Sequence, residues 1–86
     1  MEGMKTWYFT FGWGQSNAGC TQPIKAENAH AARLKMMEQH GRKWSFQYSE
    51  EDYRKSEPLR GYKLLPTLTV SHEEAEELYI RDEVPA

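Results

Sequence analysis

The amino-acid sequence predicts a small α+β domain, β-β-α-β with strand order 2-1-3 under one main helix, followed by a C-terminal strand and an acidic helix. Two aromatic runs carry most of that reading, Trp7-Tyr8-Phe9-Thr10-Phe11-Gly12-Trp13 and Trp44-Ser45-Phe46-Gln47-Tyr48. Strand side chains alternate faces, so Trp7, Phe9, Phe11 and Trp13 share one side of the first run, and Trp44, Phe46 and Tyr48 share one side of the second. Seven of the eleven Phe, Tyr and Trp residues thereby fall on two stripes. Between the runs, residues 29–40 carry helical spacing, which makes a strand–helix–strand unit of the middle of the chain.

The first strand is expected over residues 4–12. Gly, Ser and Asn within residues 14–19 supply turn conformations and join it as a hairpin to a second strand over 21–26. Pro23 cannot donate a ladder hydrogen bond, so this strand is placed at a sheet edge. Asn28 is the N-cap of a helix to His40, with Gly41 as its stop. Ala29, Ala32, Arg33, Met36, Met37 and His40 recur at i, i+3 and i+4 and form the expected sheet-facing side. Its alanines allow close approach and its methionines fill gaps between rings. A third strand covers 44–48.

Ser49 followed by Glu50, Glu51 and Asp52 has the signature of a helix start, so a short helix to Lys55 should follow. Pro58 and Gly61 mark a loop. Residues 62–70 read as a fourth strand in which Pro66 demands an edge or a break. Ser71-His72-Glu73-Glu74 is a capping box that opens a last helix with Ala75, Leu78 and Tyr79 inward, although residues 78–84 also fit a strand.

A right-handed crossover from the second strand over the first sets the two aromatic strands side by side, the third strand running parallel to the second. Their stripes then merge into one aromatic floor beneath the helix, with Phe9, Phe11, Phe46, Ala32 and Met36 mutually buried. One helix is about 10 Å wide and spans about two strands, so part of the floor needs a second cover or a partner. Trp13 at the loop mouth and Tyr8 on the opposite face are the expected exposed rings.

The length of 86 residues fits a single domain over 1–86, and 38% hydrophobic with 28% charged residues is globular rather than disordered. No apolar run spans a membrane and the start lacks a signal-peptide pattern, so a cytoplasmic protein without a membrane partner is expected. The single Cys20 fits a reducing compartment. The net charge of −2 is uneven: residues 71–86 hold six acids against Arg81, a balance of −5, which leaves +3 on residues 1–70. An acidic helix is most often a solvated surface; the sharper reading is a face for a basic partner, carried by Glu73, Glu74, Glu76 and Glu77.

No motif dictates a reaction. Cys20, His30, His40 and His72 lack metal-ligand spacing, and His30 and His40 sit about 80° apart around a helix, so neither metal nor cofactor is expected. Cys20 has no adjacent base, and turn geometry accounts for Gly12 and Gly14, which precede Gln-Ser-Asn rather than a phosphate-binding helix start. The acids at 50–52 suit a helix N-terminus without a cation. Arg33, Lys35, Arg42 and Lys43 beside Trp44 have the ingredients of a single-strand nucleic-acid binder, but a sequence pI near 5.9 argues against one. The domain therefore reads as a binding protein rather than an enzyme, its partner-binding candidates being the acidic face above and a loop surface of Tyr8, Trp13, Gln15 and Asn17.

The blocks W-Y-F-T-F-G-W-G-Q at Trp7 to Gln15 and G-R-K-W-S-F-Q-Y-S-E-E at Gly41 to Glu51, with Ala32-Arg33 and Met36 between them, resemble a group of small uncharacterised bacteriophage and prophage accessory proteins. The resemblance covers residues 5–52. It implies a phage-derived protein acting in the bacterial cytoplasm that binds and blocks a host defence protein, with CRISPR-Cas effectors as the leading target class. A phage structural or regulatory accessory domain is the alternative it leaves open, ahead of weak single-strand nucleic-acid binding.

Overall fold

The sheet is built outward from its first hairpin. The computed structural model describes residues 3–12, 14–15 and 17–83, and in it β1 (Lys5–Thr10) pairs antiparallel with β2 (Cys20–Ala26), Trp7 opposite Ile24 and Phe9 opposite Gln22. On the other side of β1 lies β3 (Phe46–Ser49), also antiparallel, which gives the order 2-1-3 that the crossover rule requires. The fold is α+β, as the sequence reading has it.

The crossover is α1 (Ala29–His40). The Asn28 side chain accepts from the Ala31 N–H at 2.8 Å, and Gly41 ends the helix at φ 62°, its N–H donating to Met37 O. That left-handed conformation suits Gly because a Cβ there would be strained. Phe9, Phe11, Ile24 and Ala26 on the sheet pack with Ala31, Ala32, Leu34 and Met36 on α1 in one buried cluster. The buried positions of α1 are not the single stripe expected, since Arg33 and Met37 are exposed while Ala31 and Leu34 are buried. The reason is a second neighbour: α4 (His72–Glu83) leans on α1, and its Ala75 and Leu78 enter the same cluster.

β2 is not an edge strand. β4 (Lys63–Leu64) pairs parallel with it at Cys20 and Thr21, and β5 (Leu68–Thr69) pairs parallel at Ile24 and Lys25. Pro23 falls in the gap between these two short pairings, where no ladder donor is needed, and Pro66 lies in the matching gap between β4 and β5. Gln22 bridges that gap: its Nε2 donates to Pro23 O at 2.9 Å and to Pro66 O at 2.8 Å. Its Oε1 is left to accept from His40 Nε2 at 3.2 Å. Burial against this site pushes the His40 imidazole below its ordinary pKa, which favours the neutral ring.

The single aromatic floor does not form. Phe46 stands opposite Thr10 and Tyr48 opposite Tyr8, so both rings of β3 project from the sheet face away from α1. Phe46 is therefore not core but 63% exposed. Gln47 takes the α1 side instead, where its Nε2 donates to Ala29 O at 3.0 Å and ties β3 to the first turn of the helix. Trp44 does cover the core, but from the segment before β3; its ring meets Phe9 edge-on at 5.2 Å and its Nε1 donates to Gly41 O at 3.0 Å.

The second sheet face has its own cover. α2 (Glu50–Lys55) is capped by Ser49 Oγ, which accepts from Asp52 N at 3.2 Å, and it lays Tyr53 flat on Tyr8 at 3.9 Å. α3 (Glu57–Arg60) replaces the loop expected around Pro58 and buries Leu59. Pro58 starts this helix rather than ending one, because the first turn needs no donor from it. The expected strand over 62–70 survives as β4 and β5, and residues 78–83 are helical. Trp13 and Val84 lie outside the described residues.

Candidate partner-binding surface

A cross-strand row runs over the face away from α1: Phe46, Thr10, Thr21 and Leu64 stand opposite one another on β3, β1, β2 and β4. Its middle is sealed, with Thr10 and Thr21 buried, and its ends are open, with Phe46 at 63% and Leu64 at 52% exposure. Tyr48, Leu59 and Tyr62 join Phe46 and Thr10 around a groove of about 540 Å³ that opens beside the hairpin loop at Ala18 and Gly19. Phe46 and Tyr48 meet at a tilt, ring centroids 6.4 Å apart. Exposed rings grouped around an apolar groove are the surface feature of this fold that burial does not explain.

The loop at the groove's rim is fixed by Gln15. Its Oε1 accepts from the Gly12 N–H and lies 3.4 Å from Ser45 Oγ, tying the hairpin loop to the entry of β3. The backbone runs close to β3 here: a Cβ at Gly12 would meet Ser45 Oγ at 2.5 Å, so a larger residue needs the serine hydroxyl to rotate away. Asn17 helps close the same loop, its carbonyl accepting from Cys20 N at 3.0 Å.

The sequence candidates thus separate. Gln15 and Asn17 shape the loop beside the groove. Trp13 falls outside the described residues. Tyr8 is half-buried, one face of its ring covered by Tyr53, and burial together with the nearby Glu50 carboxylate raises its phenol pKa. Glu73, Glu74, Glu76 and Glu77 lie on α4, which packs on α1 across the sheet from Tyr8, so the structure does not join the two candidate surfaces into one.

The acids on α4 also differ among themselves. Glu74 is held by Lys35 at 2.7 Å, Lys35 also pairs with Glu38 at 3.1 Å, and Glu38 takes Arg81 at 2.9 Å, so α1 and α4 are laced together by alternating charges. The two carboxylates raise the Lys35 pKa, with Glu74 the main cause. Glu76 lies 3.5 Å from His72, leaving Glu73 and Glu77 as exposed acids with no ion pair to the described residues. Of the basic residues grouped with Trp44, Lys35 is paired with Glu74 while Arg33, Arg42 and Lys43 stay exposed, and Trp44 itself packs edge-on against Phe9.

A polar cluster missed in the sequence ties α4 to the start of α1 along a second line of contacts. Glu27 accepts from the Tyr79 hydroxyl at 3.0 Å and contacts His72 Nδ1 at 2.7 Å, while Asn28 Nδ2 donates to the Tyr79 oxygen at 3.0 Å. His30 stacks on Tyr79 at 5.6 Å with Asp82 3.7 Å from its Nε2. Hydrogen bonding to Glu27 raises the His72 pKa, and the same bonds lower that of Glu27. These contacts clasp α4 to the start of α1. Among the described residues no group of three or more His, Cys, Asp or Glu side chains could hold a metal ion. None of the described helices is long and apolar enough to cross a membrane.

No protein family, curated protein or solved structure matches the chain.

Proposed function

We propose that the protein acts by stoichiometric binding, and that it is a phage-derived inhibitor of a host defence protein, with a CRISPR-Cas effector as the target class. The observation that supports binding is the groove with Phe46, Tyr48 and Tyr62 at its wall: Phe46 and Tyr62 are large aromatic side chains left in solvent at 63% and 39% exposure. Aromatic anchors in a groove are what protein interfaces use for most of their affinity. The phage setting and the target class come from the resemblance of the two aromatic blocks.

Titration against a purified CRISPR-Cas effector tests this. Inhibition should saturate at a fixed ratio of protein to effector and not progress with time. Complete inactivation at about a hundredth of the effector concentration would instead require turnover and would overturn the binding reading.

A further inference from the structure

The groove beside the hairpin loop is uncharged inside and basic at its edge. None of the described residues that line it carries a charge. Within two residues of a lining position the charged side chains are Lys43, Glu50, Glu57, Arg60 and Lys63. Glu50 is paired with Arg54, which leaves three cations against the single acid Glu57. Arg60 and Lys63 bracket Tyr62 on one wall, and the Lys63 N–H donates to the carbonyl of Gly19, itself a lining residue, at 3.2 Å. Lys43 lies two residues before Ser45 on the other wall. All three cations are exposed, and the lysines and arginines that do form ion pairs among the described residues are Lys35, Arg54, Lys55 and Arg81.

We propose that the groove takes an acidic segment of a partner protein, a large apolar side chain seated against Phe46 and Tyr62 and carboxylates on either side of it meeting Lys43, Arg60 and Lys63. An uncharged interior admits an apolar anchor and penalises a buried carboxylate, so the acids belong at the edge, where water and cations reach them. A nucleic-acid strand is anionic too, but its phosphates follow every base, and a lining without a cation gives them nothing to meet. The chain's own α4 has the right chemistry, with Ile80 exposed among Glu73, Glu76 and Glu77. A contact from groove to helix between two copies is heterologous, however, and does not close at two, so a different protein is the better occupant. This inference rests on the reading of the groove as the binding surface and adds the chemistry of what fills it.

NMR titration of the isotope-labelled chain tests it with a short capped aspartate peptide carrying one central tryptophan. The controls are the same peptide with lysines for the aspartates, the same with glycine for the tryptophan, and a thymidine oligonucleotide. The aspartate peptide with tryptophan should move the amides of Gly12, Gly19, Ser45 and Tyr62, bind about tenfold or more tightly than either altered peptide, and weaken as salt is raised. Arg60→Glu combined with Lys63→Glu should weaken it by about tenfold or more while amides away from the groove stay in place. Equal binding by the lysine peptide or by the glycine peptide overturns the proposal, as do tighter binding by the oligonucleotide and an unchanged affinity in the double variant. Groove amides that move with protein concentration alone put a second copy there and overturn it too. Groove amides that ignore every peptide, while the effector is still inhibited at a fixed ratio, overturn this inference and leave the binding reading standing. A peptide seated in the groove of a chain that inhibits no effector does the reverse.

Discussion

Phe9 and Phe46 are the same side chain in neighbouring strands, and register gives them opposite fates. Phe9 faces α1 opposite Gln22 and is fully buried; Phe46 faces away opposite Thr10 and is mostly in solvent. Phe9→Ala should therefore lose about 3 to 5 kcal/mol, much of the stability of a small domain. Phe46→Ala should stay within about 0.5 kcal/mol of wild type. Urea unfolding of both variants checks the register, and a loss at Phe46 as large as that at Phe9 would contradict it. Alternation in the sequence shows which residues of a strand share a face but not which face meets the helix. For β3 the choice is made by Gln47, whose amide finds the Ala29 carbonyl, while Trp44 covers Phe9 from outside the strand.

At the scale of elements, α4 is fastened to the start of α1 by Glu27, His72 and Tyr79, and that clasp depends on pH. The folded pKa of His72 lies above its ordinary 6.5, so its contribution is fully present below 6.5 and is lost as pH rises through the folded value. That of Glu27 lies below its ordinary 4.5, so its contribution is present above 4.5 and is lost as pH falls through the folded value. The stability difference between wild type and His72→Ala should therefore be widest between about pH 4.5 and 6.5. It should also shrink with added salt, because His72 is exposed. Denaturation across pH measures it, and a difference that grows above pH 8 would contradict the assignment. Helix starts were the most legible elements, because Asn28, Ser49 and Ser71 each place a side-chain oxygen where a free N–H needs it. The prolines misled: Pro58 begins α3, and Pro23 sits inside the sheet because β4 and β5 leave a gap beside it. Contacts made by residues 63–69 decide that gap, and local sequence around Pro23 carries no trace of them.

The whole molecule offers a partner two separate surfaces, the groove behind the sheet and the acidic side of α4. Charge in the sequence pointed to the second, but Glu74 is committed to Lys35 and Glu76 lies beside His72, so the exposed acids reduce to Glu73 and Glu77. Glu73→Lys with Glu77→Lys tests that surface without breaking the α1–α4 lacing. The groove was not legible in advance, since it exists only because Phe46 and Tyr48 turned away from α1 and α3 brought Leu59 beside them. The most direct measurement is the inhibition titration repeated with Phe46→Ala combined with Tyr62→Ala, at a temperature where the variant is confirmed to be folded. The account predicts a loss of affinity for the effector of about thirtyfold or more, corresponding to about 2 kcal/mol at an aromatic anchor, with the acidic-helix variant close to wild type. Full inhibition at the wild-type ratio by the folded groove variant would contradict it.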